Sequence, residues 1–169
     1  MCGIVAYIGE KNALPILING LRRLEYRGYD SAGVAILNNG KFLSAKAVGK
    51  IDQLSQKLNN QDLAGTFGIA HTRWATHGGV TEPNAHPHTD CTGKIILAHN
   101  GIIENYRELK EELGVSHTYK SETDSEVLVH LIEIYYKGDL RKAVLEALSR
   151  VRGTYGLVVM HSDLPDTLI

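Results

Sequence analysis

The second residue of the chain, Cys2, is the first that could do chemistry. It follows an initiator methionine, which is usually trimmed when the next residue is small, and trimming leaves Cys2 with a free α-amino group. An α-amine has an unperturbed pKa of about 7.7–8.0, so roughly a tenth of it is neutral at pH 7 and can accept a proton. A thiol of pKa about 8.5 needs such a base to become an attacking thiolate. Cys2 could therefore supply both nucleophile and base.

The residues that follow Cys2 predict that this terminus is held in place. Gly3 permits close approach of another backbone, and the apolar segment from Ile4 to Ile8 predicts a strand. A cysteine at the start of a strand is more often a small buried residue than a nucleophile, so other motifs must decide its role.

A second candidate for chemistry follows the apolar segment at residues 94–99, which predicts a buried strand. Asn100 and Gly101 come next, and this pair favours a tight turn. Functional side chains are often found where a strand ends. We therefore expect the strand to stop at residue 99 and the Asn-Gly pair to be presented in a turn.

The remaining pattern predicts strands mixed with helices. Asn38-Asn39-Gly40 favours a hairpin turn, because Asn and Gly tolerate positive φ. Hairpins mixed with amphipathic helices indicate an α+β fold with antiparallel sheets. Strands are predicted at residues 3–8, 34–37, 41–48, 66–70, 94–99 and 155–160, and helices at 12–24, 51–58, 105–113, 123–136 and 140–151.

Composition excludes several classes of protein. With 18 basic and 19 acidic residues the net charge is -1, which argues against nucleic-acid binding driven by charge. No apolar run is long enough to span a membrane, and no signal peptide is present, so a cytoplasmic location is expected. The 169 residues fit one domain. Residues 166–169 look like the beginning of a strand, so we expect the chain to be incomplete at its C-terminus.

Five motifs follow the N-terminal Cys-Gly-Ile in order along the chain: Leu24–Gly33, His71–Gly78, Asn84–His88, His99–Asn105 and Ser121–Glu126. Together they resemble the class II glutamine amidotransferases. Within that family the motif residues resemble those of the members that carry C-terminal sugar-isomerase domains and use fructose 6-phosphate. Amidophosphoribosyltransferases typically differ at residues 26–30.

This resemblance implies a four-layer αββα N-terminal-nucleophile (Ntn) hydrolase fold with two stacked antiparallel sheets. It implies that residues 1–169 hydrolyse L-glutamine to glutamate and ammonia through a γ-glutamyl thioester on Cys2, with no cofactor and no metal. Asn100 and Gly101 would be the oxyanion donors. Arg27 is a weaker candidate for a supporting role near Cys2. The full-length enzyme would be a homodimer.

The resemblance also implies how the substrate is recognised. A free amino acid carries an α-carboxylate, which an Arg fork binds well, and an α-ammonium, which suits a carboxylate. Arg73 and Asp124 take these roles by resemblance. Thr76 and His77 would complete the carboxylate pocket, and Trp74 would lie beside it as part of a gate for ammonia.

Two alternatives stay open. The first is a non-catalytic glutamine-binding module. The second is a metal-binding domain, because His and Cys are common zinc ligands, although the spacings match no common zinc signature and no HExxH motif is present. The residues that suggest it are His71, His77, His86, His88, Cys91 and His99.

Overall fold

The computed structural model describes residues 2–59 and 61–169. The expected removal of Met1 therefore concerns a residue outside this part of the chain. The strands are β1 Gly3–Ile8, β2 Ser31–Asn38, β3 Lys41–Val48, β4 Phe67–Arg73, β5 His88–Thr89, β6 Ile95–Ile103 and β7 Gly153–His161. The α-helices are α1 Ala13–Leu24, α2 Ile51–Leu58, α3 Tyr106–Leu113, α4 Asp124–Tyr135 and α5 Leu140–Arg150, with 3-10 turns at Glu25–Arg27 and Gly114–Ser116.

Four strands form the first sheet, in the order β1-β4-β2-β3, and neighbouring strands are antiparallel. The predicted hairpin joins β2 to β3, where Asn39 has φ 48° and Gly40 has φ 76°. These positive φ values are the reason that Asn and Gly occupy the turn. The sheet thereby brings the first residues of β1 alongside the last residues of β4, with Gly3 opposite Thr72.

Three strands form the second sheet, in the order β5-β6-β7, and they are also antiparallel. The register of β6 and β7 places Asn100 opposite Gly156 and Gly101 opposite Tyr155. Near the C-terminus Leu168 forms an isolated bridge with Met160, so the expected strand character at residues 166–169 is limited to this bridge.

The layers are stacked as αββα. Successive residues of each strand point to opposite faces of the sheet, and in both sheets one face packs on helices and the other on the neighbouring sheet. Val34 and Ile36 pack against α1 and α2, whereas Ala35 packs toward the second sheet. In β6, Leu97 packs against α3, α4 and α5, and Ile96 faces the first sheet. The core between the sheets contains Ala35, Leu37, Phe67, Ile69, Ile96, Ala98 and Met160.

Four strands, β2, β4, β6 and β7, extend further than the sequence predicted, and two of these extensions concern the site. The expectation that a strand stops at residue 99 in an Asn-Gly turn is wrong, because β6 continues to Ile103. Pairing with β7 along the whole of this segment outweighs the local turn preference of the Asn-Gly pair. Likewise β4 does not end at residue 70 but continues through Arg73. Both extensions carry predicted site residues.

Each of the two long helices that flank the site is capped. The Asn12 side chain accepts a hydrogen bond from the Leu14 N–H at the start of α1, and the Thr123 hydroxyl accepts one from the Glu126 N–H at the start of α4. Such caps satisfy backbone donors that a helix leaves unpaired. The cap on α4 fixes the position of Asp124, its first residue. None of the described helices is long and apolar enough to cross a membrane.

Candidate active site

Cys2 lies where β1 begins, next to the end of β4. Its Sγ accepts a hydrogen bond from the Trp74 N–H at 3.2 Å. Gly3 packs so closely on the end of α1 that an added Cβ would lie 2.8 Å from Leu24 Cβ. The strand pairing and this close packing hold the thiol at a defined position, as the sequence predicted for the residues after Cys2.

Asn100 extends from the second sheet toward Cys2. Its Nδ2 donates a hydrogen bond to the Cys2 carbonyl oxygen at 3.3 Å, and its Oδ1 lies 2.9 Å from His71 Nε2. Burial lowers the pKa of His71 to about 4, so the ring is neutral at pH 7. A hydrogen on Nε2 is then donated to Oδ1, and this contact turns the NH₂ group of Asn100 toward Cys2. The second N–H of that group remains available to a ligand.

This positioning contact of His71 is one that sequence reasoning missed, since it considered His71 as a possible metal ligand or as a hydrogen-bond partner of the loop that follows, not as a partner of Asn100. Residues 71 and 100 meet because β4 and β6 belong to different sheets that pack face to face. The motif His71–Gly78 contained the residue, but nothing local in it indicates a contact with Asn100.

Gly101 occupies a position that only glycine fits. Its φ is +139°, and an added Cβ would collide with the carbonyl oxygen of Thr154 on β7. L-residues with a side chain rarely adopt such a φ. The glycine is thus required by the close approach of β7 in mid-strand rather than by a turn.

A cavity of about 430 Å³ opens beside the Cys2 thiol. This volume lies in the range of small-molecule sites. Six of the nine predicted site residues line it, and Ile102 and Thr154 complete the wall. The six are Cys2, Arg27, Trp74, Thr76, Asn100 and Gly101.

The other three predicted residues, Arg73, His77 and Asp124, line a neighbouring recess of only about 20 Å³. Cys2 and Gly101 border both spaces. A volume of this size holds about one water molecule. The structure therefore brings all nine residues around one thiol, but it leaves room for an amino acid only on the larger side.

Existing hydrogen bonds explain why the recess is small. The Arg73 guanidinium donates to the backbone oxygens of His77 and Gly79, the latter at 3.1 Å. The Asp124 carboxylate accepts from the Ile103 N–H at 2.7 Å. Both side chains are only 4% exposed. Two of the five N–H groups of the guanidinium are thus taken up by carbonyl groups of the loop at residues 77–79.

The segment from Trp74 through the loop at residues 77–79 is held by aromatic contacts and by a hydrogen bond to a carboxylate. Trp74 is 44% exposed and meets the edge of Tyr29, with ring centroids 5.5 Å apart. His77 meets Tyr106 edge-on at 5.7 Å. The Asp30 carboxylate accepts from the Ala75 N–H at 2.8 Å, so the segment that carries Arg27 also supports the loop.

Three buried histidines, His71, His86 and His88, form what we call the histidine stack. The rings of His71 and His86 are stacked at 4.2 Å, and those of His86 and His88 meet edge-on at 4.5 Å. Burial lowers the pKa of both His86 and His88 well below its ordinary value. The stack is a neutral, packed element between the sheets.

The six residues that the sequence suggested as metal ligands do not form one ligand set in the structure, although three of them make the histidine stack. Among the described residues, four side chains lie close enough together to hold a metal ion. One of them is Cys91, which the sequence suggested, and the other three were not singled out. None of these four lines the cavity at Cys2. The three are His117, His130 and Glu133.

The chain is similar in sequence to glutamine amidotransferases. Residues 71–169 match the glutamine amidotransferase domain family. Glutamine–fructose-6-phosphate aminotransferase (isomerizing) from Pyrococcus horikoshii is 54% identical over 99% of this chain and 29% of its own length. A protein of the same name from Thermus thermophilus is 56% identical over 96% of this chain and 27% of its own length. The chain thus spans little more than a quarter of these curated relatives.

Two solved structures share the fold. The glutamine phosphoribosylpyrophosphate amidotransferase from B. subtilis, complexed with ADP and GMP, superposes with a TM-score of 0.81 and 28% identity, over 96% of this chain and 35% of that chain. A structure described as the allosteric regulatory enzyme of purine biosynthesis gives a TM-score of 0.82 at 28% identity, over 96% and 36% of the two chains. These likenesses confirm the predicted α+β fold of the Ntn amidotransferase type.

Proposed function

The chain belongs to the glutamine amidotransferase domain family, and on this basis we propose that it hydrolyses L-glutamine to glutamate and ammonia on Cys2. One observation carries the proposal: the Cys2 thiol faces a cavity of about 430 Å³ whose wall includes Asn100 and Gly101. A nucleophile beside amide donors, in a space that admits an amino acid, is the arrangement that acyl transfer requires.

The reaction follows from these groups. The α-amine of a processed Cys2 takes the thiol proton, and the thiolate attacks the side-chain carbonyl carbon of glutamine. The Asn100 NH₂ and the Gly101 N–H stabilise the resulting oxyanion. Collapse breaks the carbon–nitrogen bond, and the protonated amine returns its proton to the departing ammonia. Water then attacks the thioester, which releases glutamate and restores the thiol.

Substrate recognition is proposed to use the side chains around the small recess. The Arg73 guanidinium binds the α-carboxylate together with Thr76 and His77, and the Asp124 carboxylate binds the α-ammonium. Loop carbonyls take up two N–H groups of the guanidinium in this structure, and we propose that the α-carboxylate of glutamine replaces them. This exchange would move the loop at residues 77–79, and Trp74, three residues before it, would act as the gate.

Arg27 is proposed to support the site from the wall of the larger cavity. It lines the cavity with Cys2, and its segment is anchored to the end of β4 through the hydrogen bond from the Thr72 hydroxyl to the Gly28 carbonyl.

The whole protein is proposed to pass its ammonia to fructose 6-phosphate and so to form glucosamine 6-phosphate. The relatives that match almost the whole chain carry the name glutamine–fructose-6-phosphate aminotransferase. We propose that C-terminal sugar-isomerase domains supply the acceptor site and that the full-length enzyme is a homodimer. Both described cysteines are free thiols, which fits the reducing cytoplasm.

Labelling with 6-diazo-5-oxo-norleucine, a glutamine analogue with an electrophilic carbon, tests the glutaminase proposal. Intact-mass and peptide spectrometry should find one adduct on residue 2 and a chain that has lost Met1. Cys2→Ser should abolish both the adduct and ammonia release, while glutamine binding stays measurable by calorimetry. Unchanged ammonia release in this variant would remove Cys2 from the mechanism and leave the non-catalytic binding module as the alternative.

The sugar acceptor is tested separately with the full-length protein. Supplied with glutamine and fructose 6-phosphate, it should form glutamate and glucosamine 6-phosphate in equal amounts. Release of glutamate without formation of the amino sugar would leave the glutaminase proposal standing and would refute fructose 6-phosphate as the acceptor.

A further inference from the structure

Four metal-ligating side chains converge at a place that the glutaminase reaction does not use. They come from three separate segments: Cys91 lies in the turn between β5 and β6, and His117 follows the 3-10 turn after α3. His130 and Glu133 lie one turn apart on α4. Residues at i and i+3 share one face of a helix, so the last two point the same way.

Five of the six distances between the ligand atoms are nearly equal. The two imidazole Nδ1 atoms lie 3.3 Å apart. Glu133 Oε2 is 3.2 Å from the Nδ1 of His117 and 3.1 Å from that of His130. Cys91 Sγ is 3.5 Å and 3.6 Å from the same two nitrogens. All four atoms lie within 4.8 Å of one another.

These five distances are close to the edge lengths of a tetrahedron of such ligand atoms around a zinc ion. With Zn–N of about 2.0–2.1 Å and Zn–S of about 2.3 Å, tetrahedral angles place two nitrogens about 3.3–3.4 Å apart and nitrogen and sulfur about 3.5–3.6 Å apart. One thiolate, two imidazoles and one carboxylate form a mixed set that suits Zn²⁺. The observed separations of the His117, His130 and Cys91 atoms fall on these values.

Hydrogen bonding alone explains the cluster less well. If the His117 and His130 Nδ1 atoms both carried hydrogens for Glu133, the two hydrogens would point into one small space. A single cation satisfies both nitrogens, the carboxylate and the sulfur together. The surroundings also fit, because the Cys91 N–H donates to Glu133 Oε2 at 3.3 Å and so orients this carboxylate.

We propose that Cys91, His117, His130 and Glu133 form a structural zinc site. The His130 side chain is fully buried, and those of His117 and Glu133 are 9% and 18% exposed, whereas Cys91 is exposed and leaves a route for the ion. Binding replaces the Cys91 thiol proton, which passes to solvent. Four protein ligands close the coordination sphere, as in structural rather than catalytic sites. The ion ties the β5–β6 turn and the segment after α3 to α4.

Cobalt substitution gives a sharp test, because Cys91 and Cys2 are the two cysteines of the sequence. The full chain loaded with Co²⁺ should show a thiolate-to-cobalt charge-transfer band. Cys91→Ser should lose this band, and the matched variant Cys2→Ser should keep it. A band that survives Cys91→Ser and disappears in Cys2→Ser would place the metal at the N-terminus and overturn the proposal.

Metal content and thermal stability give a second test. The zinc-loaded chain should retain about one equivalent of zinc after dialysis, and a chelator should lower its melting temperature. Cys91→Ser should retain no zinc and should melt at the same temperature with or without chelator. His161→Gln, a buried histidine outside the cluster, should behave as the unaltered chain. Retention of no zinc by the unaltered chain, with chelator-independent melting, would refute the site.

These outcomes are independent of the proposed function. Cys91→Ser should keep the kcat for glutamine hydrolysis at 25 °C, since Cys91 does not line the cavity at Cys2. Loss of zinc binding without any change in ammonia release would therefore still support the site. A chain that binds zinc but hydrolyses no glutamine would refute only the glutaminase proposal.

Discussion

Replacing His71 by phenylalanine tests whether this buried ring acts on catalysis through Asn100. Phenylalanine keeps the aromatic ring that stacks on His86 at 4.2 Å, but it cannot donate the 2.9 Å hydrogen bond to Asn100 Oδ1. The Asn100 amide then loses the contact that turns its NH₂ group toward Cys2. We expect kcat to fall while the KM for glutamine changes by less than about twofold, because the amide serves the transition state rather than ground-state binding.

The magnitude follows from the kind of contact that is lost. A neutral hydrogen bond contributes a net free energy of about 0.5–1.5 kcal/mol. Because about 1.4 kcal/mol of activation free energy changes a rate tenfold, kcat should fall roughly 2- to 13-fold. Removing the donor itself in Asn100→Ala should cost more, on the order of 10²–10³ in kcat. The His71 effect is therefore expected to be a fraction of the Asn100 effect.

A double-mutant cycle with ammonia release as the assay separates positioning from general damage. In the Asn100→Ala background, His71→Phe should have no further effect on kcat beyond about twofold, because there is no amide left to orient. Melting temperatures of the four proteins show whether packing is preserved. If the two substitutions lower kcat by independent, multiplicative factors, His71 acts by another route and the reasoning is refuted.

Three further predictions concern substrate charge, backbone conformation and pH. Asp124→Asn can still accept the Ile103 hydrogen bond but lacks the charge for an ammonium group, so the KM for glutamine should rise more than about tenfold; an unaltered KM would exclude Asp124 from the ammonium site. Gly101→Ala should lower the free energy of unfolding by more than about 1 kcal/mol in denaturant titrations, because φ there is +139° and Thr154 is in the way. The control Gly156→Ala, where a Cβ meets nothing within 4 Å, should cost less, and equal losses would contradict the steric argument. Acidification from pH 7 to pH 5 should lower the melting temperature, because the histidine stack is neutral when folded and takes up protons near pH 6.5 when unfolded, so stability is lost as pH falls through that range. His71→Phe should weaken this pH dependence, and an unchanged slope would show that other groups cause it.

The local parts of the fold could be predicted from sequence. The bounds of β1, β3 and α2 coincide with the predicted segments, because alternation, helical periodicity and an Asn-Gly hairpin turn act over a few neighbouring residues. The prediction was wrong at Asn100-Gly101, where the same pair of residue types lies inside a strand. There the pairing of β6 with β7, which involves residues fifty or more positions apart in sequence, decides the conformation.

The sequence could predict which residues border the candidate site, but not the contacts among their side chains. All nine residues that the resemblance assigned to the site border at least one of the two adjoining spaces at Cys2, together with residues that it did not assign. The hydrogen bond between His71 and Asn100 depends on how two sheets pack, and no spacing in the sequence reports it. The same limit applies to the zinc ligands, since Cys91 was grouped with nearby histidines although its partners lie on α4 and after α3.

The proposed nucleophile and its proposed oxyanion donor lie in different halves of the sandwich, Cys2 with the first sheet and Asn100 with the second. An apolar core and the histidine stack pack between those halves. Under the proposed mechanism, the rate of ammonia release therefore reports how the two sheets are packed against each other. A partly loosened molecule that kept every strand and helix, with one sheet shifted by about an ångström, should already lose much of this activity.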